Sequence, residues 1–226
     1  LRAIQPGIII NNRSRLAEDF GTPEEHVTAD NDRDWEACMT LNNHSFGYLD
    51  APQVGLHTYN AQRVLKMLST CAHGAGNLLL NIGPAADGSV PPEAVEPLST
   101  VGKWLAANGE CAYGKVDRFK EVWGYGTQLC TVSGKRNTVY LWNWFWPKDG
   151  ELIVGGFTTA LKSAKILASG ESIAFSQEKY RIILKGMPKE TPDKIAGVAV
   201  IALEFSSVPE IVPYATTPHM IQGVTH

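Results

Sequence analysis

Residues 76–90, G-N-L-L-L-N-I-G-P-A-A-D-G-S-V, constrain the fold of this chain more than any other stretch. Leu78, Leu79 and Leu80 form a short apolar run between Gly76 and Gly83-Pro84. So short a run with such flanks suits a buried strand better than a helix. Asn81 stands at its C-terminal end, where an α/β barrel delivers side chains to a working face. Asp87-Gly88 signals a turn, and Pro91 and Pro92 open a helix, a position proline tolerates. Val95, Leu98, Val101 and Leu105 recur at helical spacing, and Gly109 ends the run. Pro97 has no N–H to donate, so it is expected to kink or restart that helix. Strand, polar loop and amphipathic helix make one unit of an α/β architecture.

The same layout recurs upstream. Residues 7–10 are an apolar β-branched run, a candidate strand, followed by Asn11-Asn12-Arg13. Residues 14–34 are irregular and carry Glu18, Asp19, Glu24, Glu25, Asp30, Asp32 and Asp34. Loops of this length are often functional, although an acidic loop also serves simply as solvated surface. Residues 35–41 form another candidate strand, with Trp35, Cys38 and Leu41 as its apolar positions, before a polar and aromatic loop at 42–48. Thr58 is a candidate cap for a helix reaching Ala72, with Val64, Leu65, Leu68 and Cys71 on its apolar face. Near Lys115 the pattern changes to short strands with turn signals, as in a β-sandwich. Candidate strands are 129–132, 138–146, 151–154, 164–167, 181–184 and 198–203, with Gly134-Lys135 as a hairpin turn and a tail from Pro213. Tyr140, Trp142, Trp144 and Trp146 alternate, so on one strand they share a face. That face is either a sugar-stacking platform or, on the plainer reading, a packing surface.

A chain of 226 residues can bury one good core or two small ones. Its net charge of -3 argues against nucleic-acid binding, since no basic excess is available for phosphates. No apolar stretch reaches membrane-spanning length. The N-terminus shows no signal-peptide pattern. Cys38, Cys71, Cys111 and Cys130 make no CxxC pair and read as buried thiols. His26, His44, His57 and His73 lack metal-ligand spacing, so no metal is expected.

Glycoside hydrolysis usually needs two carboxyl groups flanking the scissile bond, and the residues alone leave open which acid of the loop serves. Residues 1–13 (L-R-A-I-Q-P-G-I-I-I-N-N-R), 19–24 (D-F-G-T-P-E), 35–40 (W-E-A-C-M-T) and 45–48 (S-F-G-Y), together with motifs across 77–110, resemble successive segments of α-L-fucosidases of glycoside hydrolase family 29. The resemblance implies a partial (β/α)8-like barrel over 1–114, an antiparallel β-sandwich over 115–212 and a tail at 213–226. It also implies a retaining exo-α-L-fucosidase acting on terminal α-L-fucose of glycans, with no cofactor. Glu24 matches the general acid/base, with Glu25 as its rival. Arg13 matches an arginine that contacts fucose, and Phe46 an aromatic lining the sugar subsite. Trp35 matches a family position that serves either substrate or packing. Asn81 is expected to hold loops rather than touch sugar. The family's nucleophile, an Asp in a Trp-x-Asp type motif, and its substrate-binding histidines match nothing from Leu1 onward. The expectation is that a companion polypeptide, further copies, or more of the same chain completes the barrel. The alternatives are a non-catalytic carbohydrate-binding protein and an inactive fucosidase fragment.

Overall fold

The computed structural model describes residues 1–15, 18–30, 32–49, 58–118 and 130–211. His57, Leu129 and the tail from Pro213 lie outside them. The chain divides into two compact units, Leu1–Val101 and Gly102–His226.

The first unit is built on a parallel sheet of β1 (Phe20–Gly21), β2 (Asp34–Thr40) and β3 (Asn77–Asn81), in that order. The β1 edge runs on beyond Gly21. Phe20 pairs with Asp34 and Gly21 with Trp35, and Glu24 bridges Cys38 in the same register. Trp35, Ala37 and Met39 on β2, and Leu41 just after it, are buried, the period of two that a half-covered strand requires. Helix α1 (Ala61–His73) follows and buries Val64, Leu65, Met67 and Cys71. Its cap is Asn60 and not Thr58. The Asn60 side chain accepts from the Arg63 amide at 2.8 Å, within reach of a donor left open by the helix start. Leu68 is only half-buried, and Met67 takes the place expected for it.

Two expectations change here. Residues 7–10 form no strand, and Ile9 is exposed. Asp19 occupies the edge instead: its amide donates to the Ile10 carbonyl, and its carboxylate accepts from the Ile10 amide at 2.7 Å. One side chain thereby replaces half of a strand pairing. The strand 77–81 forms, but Leu79 is 43% exposed, so the leucine run is covered on one face only.

Helix α2 (Pro92–Asn108) continues through Pro97. Ala94, Pro97, Val101, Trp104 and Asn108 are its buried positions, spaced three and four apart, and Val95 points outward. The proline therefore lies on the packing stripe, and the apolar face is rotated from the one expected. A 3-10 turn, Gly109–Cys111, ends the helix.

The second unit pairs two antiparallel sheets. One has the order β4 (Cys130–Lys135), β5 (Thr138–Asn143), β10 (Ala199–Phe205) and β7 (Leu161–Ile166). The other has the order β6 (Leu152–Gly155), β9 (Arg181–Lys185) and β8 (Ala174–Glu178). Both sheets feed one core, including Leu141, Val154, Ile182, Leu184, Ile201 and Leu203, with Phe157 and Phe205 in contact at 5.2 Å. Strand β8 was not legible, because its residues are mostly half-buried. The β4–β5 turn is Arg136-Asn137 rather than Gly134-Lys135, since Lys135 pairs with Thr138. Arg136 adopts φ +55, which tight hairpins favour.

The aromatic strand resolves as packing. Trp142 is fully buried against Trp104, with ring centroids 5.0 Å apart. Both indoles are satisfied, Trp104 by the Val198 carbonyl and Trp142 by Ser133 Oγ. Strand β5 stops at Asn143, so the alternation does not carry to Trp146. That residue packs on the sandwich core and donates to the Pro188 carbonyl. All four cysteines are free thiols; Cys71 and Cys111 are buried, while Cys38 and Cys130 are half-buried.

Candidate active site

Parallel strands release their chains at one end of the sheet; Thr40 and Asn81 end β2 and β3 there, while Glu24 lies along the β1 edge opposite Cys38. Ahead of β1, Asn11 caps the 3-10 turn Asn12–Ser14 by accepting from the Arg13 amide at 3.1 Å. Asn12 ties this turn to the end of β1, accepting from the Thr22 amide at 3.1 Å and the Thr22 hydroxyl at 2.9 Å. The Arg13 guanidinium then meets the Glu24 carboxylate, Nη1 to Oε2, at 2.9 Å. Each side chain is about half exposed (45% and 46%), so a ligand could reach either.

The backbone separates the two neighbouring acids. The Cys38 amide donates to the Pro23 carbonyl at 2.8 Å, and the Glu25 amide to the Cys38 carbonyl at 3.0 Å. These bonds fix Glu24 to β2 from both sides. Glu25 then takes φ +60, a left-handed geometry that turns the chain off the edge. His26 Nδ1 lies 2.7 Å from the Glu24 carbonyl, which can only accept, so this nitrogen carries the hydrogen. Further along the loop, the Arg33 guanidinium donates to Asp30 at 2.7 Å and lowers that carboxyl below its ordinary value.

The β2 and β3 exits carry a polar cluster. Asn81 Nδ2 donates to Thr40 Oγ1 and to the Phe46 carbonyl, each at 2.9 Å. Thr40 Oγ1 donates onward to the Ser45 carbonyl at 3.1 Å. Asn42 Oδ1 accepts from the His44 and Ser45 amides, each at 2.9 Å. Phe46 is held at the surface with 38% of its area open. Asn81 thus braces the loop through its backbone.

Trp35 stands apart from these residues. It is 1% exposed at the start of β2, and its indole lies over Gly74 and Gly76 and donates to the Gly74 carbonyl at 2.9 Å. In this structure it is a packing residue with no face for a sugar. A small open recess is lined by Leu41, Asn42, Ile82 and Gly83 among others, but not by Arg13, Glu24 or Phe46. The ion pair, with its opposite charges and exposed faces, is the better centre for polar chemistry. Among the described residues no group of three or more His, Cys, Asp or Glu side chains could hold a metal. In addition, no described helix is long and apolar enough to cross a membrane.

Sequence reasoning named Arg13, Glu24 and Phe46 but not Asn12, Thr40 or Asn42. The available signal was Asn placed directly after an apolar run, at 11–12 and 42–43, where its side chain binds local backbone.

Comparison with known proteins sets the chain beside one family. Residues 1–110 match the family model described as alpha-L-fucosidase. The tissue alpha-L-fucosidase of Rattus norvegicus is 31% identical over 185 residues, which is 78% of this chain and 38% of that protein. Alpha-L-fucosidase isoenzyme 1 from Paenibacillus thiaminolyticus superposes with a TM-score of 0.76 at 26% identity, over 91% of this chain and 52% of its own. A GH29 alpha-L-fucosidase from Bacteroides thetaiotaomicron, trapped as a covalent intermediate, superposes with a TM-score of 0.74 at 24% identity, over 90% and 50%. The chain therefore spans between about a third and a half of the relatives it matches.

Proposed function

From the premise that this chain is a relative of the α-L-fucosidases of glycoside hydrolase family 29, we propose that it forms part of a retaining exo-α-L-fucosidase. It would supply the second half of the catalytic barrel, over 1–114, and a sandwich domain, over 115–212. In the first step an Asp carboxylate outside this sequence attacks the anomeric carbon, while Glu24 gives its proton to the departing glycosidic oxygen. In the second, Glu24 takes a proton from water, which displaces the Asp and releases fucose. Arg13 holds sugar hydroxyls with its planar set of donors, and Phe46 offers a ring to the apolar edge of the sugar.

The observation that carries this reading is the Arg13–Glu24 pair on the β1 edge of the sheet. It presents an acid to solvent beside a guanidinium that a sugar hydroxyl could engage in its place. The parallel sheet agrees with an incomplete barrel. Leu1, Ile4 and Ile9 are 78%, 85% and 73% exposed, three large apolar side chains without cover within one short stretch. The rest of a barrel, on the same polypeptide or a companion, would cover them.

The test is hydrolysis of an aryl α-L-fucoside by the purified native protein and its Glu24→Gln variant. Turnover should fall steeply in the variant and fall least on substrates with activated leaving groups, which do not need the proton. Equal turnover would pass the role to another acid, Glu25 first. Native mass should show a species larger than 24.6 kDa; a lone, well-folded 24.6 kDa chain would end the idea of completion by a second polypeptide.

A further inference from the structure

We infer that Thr40 and Asn81 are positioning residues for substrate binding, acting through the backbone of the Phe46 loop. This rests on the reading of Phe46 as a wall of the sugar subsite.

The argument is one of hydrogen-bond direction. Asn81 Nδ2 has two hydrogens, and both are committed, to Thr40 Oγ1 and to the Phe46 carbonyl at 2.9 Å each. The amide cannot be flipped, because its oxygen would then face the lone pairs of the Phe46 carbonyl. Thr40 Oγ1 accepts from Asn81 and has one hydrogen left, which goes to the Ser45 carbonyl. The relay therefore runs one way, from amide to hydroxyl to carbonyl, and each bond polarises the next. It grips two consecutive carbonyls, Ser45 and Phe46, from beneath the loop. Asn42 secures the other side by accepting from the His44 and Ser45 amides, and Ser45 Oγ accepts from the Gly47 amide at 3.1 Å. Space is limiting as well. Gly83, just after β3, takes φ +58, and a Cβ there would lie 2.9 Å from the Gly47 carbonyl oxygen.

Phe46 itself is over a third exposed, so its own packing holds it only in part. The Ser45 and Phe46 carbonyls are also anchored, to β2 and β3. Thr40 is 3% exposed and touches no solvent where a ligand would arrive. Its contribution is therefore indirect, through the loop.

Hydrogen exchange at the His44, Ser45 and Gly47 amides tests the clamp without reference to activity. In the native protein, Thr40→Val keeps the shape and removes the relay, and should speed exchange there about 3- to 10-fold, the range for one lost net hydrogen bond. Thr40→Ser restores the hydroxyl and should restore protection. Asn81→Ala, at a half-buried site, should act like Thr40→Val and serves if that variant folds poorly. Unchanged exchange in both variants would overturn the clamp. KM for an aryl α-L-fucoside should rise in the same variants with kcat nearly unchanged, as for lost uniform binding. Phe46→Ala run alongside separates the two failures. If it raises KM while Thr40→Val and Asn81→Ala do not, the positioning role is wrong. If it leaves KM unchanged, the assignment of Phe46 to the subsite is wrong, and the positioning role falls with it.

Discussion

The two units keep their order by different means. The second unit is held by apolar volume: its two sheets share a core in which Ile201, Leu203, Phe205, Ile182 and Leu184 are fully buried. The first unit has a buried side around Trp35, Met39 and Leu65, but its strand exits are organised by single polar side chains. Asn12, Asp19, Asn42 and Asn81 each satisfy backbone groups that a second strand or a wall of side chains would otherwise cover. Apolar burial is insensitive to direction, and a polar side chain is not. The sandwich is thus suited to stability and the α/β unit to placing groups for chemistry.

The sharpest division comes from Glu24→Gln. It should reduce turnover by about 10²- to 10⁴-fold, the usual contribution of a general acid, and change unfolding free energy by about 1 kcal/mol or less, as for an exposed ion pair. A large loss of stability would show that the pair is structural and blur the contrast. Phe205→Ala is the converse: in urea denaturation it should cost about 3–5 kcal/mol, while exchange at the His44 and Ser45 amides stays as in the parent. Acceleration there would mean that the two units do not divide the work.

A third measurement concerns Cys71, buried on α1, where burial pushes the thiol from 9.0 up to about 12. Its folded value lies above the unfolded one, so its stabilising effect is complete below about pH 9 and is lost as pH rises toward 12. Urea midpoints taken at rising alkaline pH should fall less steeply in Cys71→Ala than in the parent. Matching slopes would remove Cys71 from the account. Asn60→Ala, which deletes the cap of α1, is the mildest of the set, at about 1 kcal/mol in thermal or urea unfolding. A much larger cost would mean the first unit leans on its helix more than its half-covered sheet suggests.

The sequence was most readable where one force dominates. The strand at 77–81 and the strands around 138 and 199 are apolar enough to declare themselves, and α1 shows its periodicity despite a misplaced cap. It was least readable where a polar side chain replaces a structural element. Asp19 takes the edge beside residues 7–10, so a run with strand composition stays out of the sheet, with Ile9 exposed. Pro97 misleads because the penalty for a missing amide is local, and the helix recovers it by burying the ring. Among the site residues, Arg13, Glu24 and Phe46 came from resemblance, since exposed acids look alike in a sequence. Thr40 was hidden for the opposite reason: a threonine ending a strand is indistinguishable from one that merely fills it until its hydroxyl's two partners are known.

The seat of Trp35 has a bearing on how mutational data from this protein should be read. A Cβ at Gly76 would lie 2.1 Å from the indole, and one at Gly74 would lie 2.9 Å from it. Any side chain there must displace the ring, and the ring is anchored three residues before Cys38, whose amide and carbonyl hold the acid-bearing segment in place. An activity screen would therefore score 35, 74 and 76 beside Glu24, as positions where almost nothing is tolerated. Ranked by intolerance alone, a wedge of carbon against two glycines would pass for catalytic machinery.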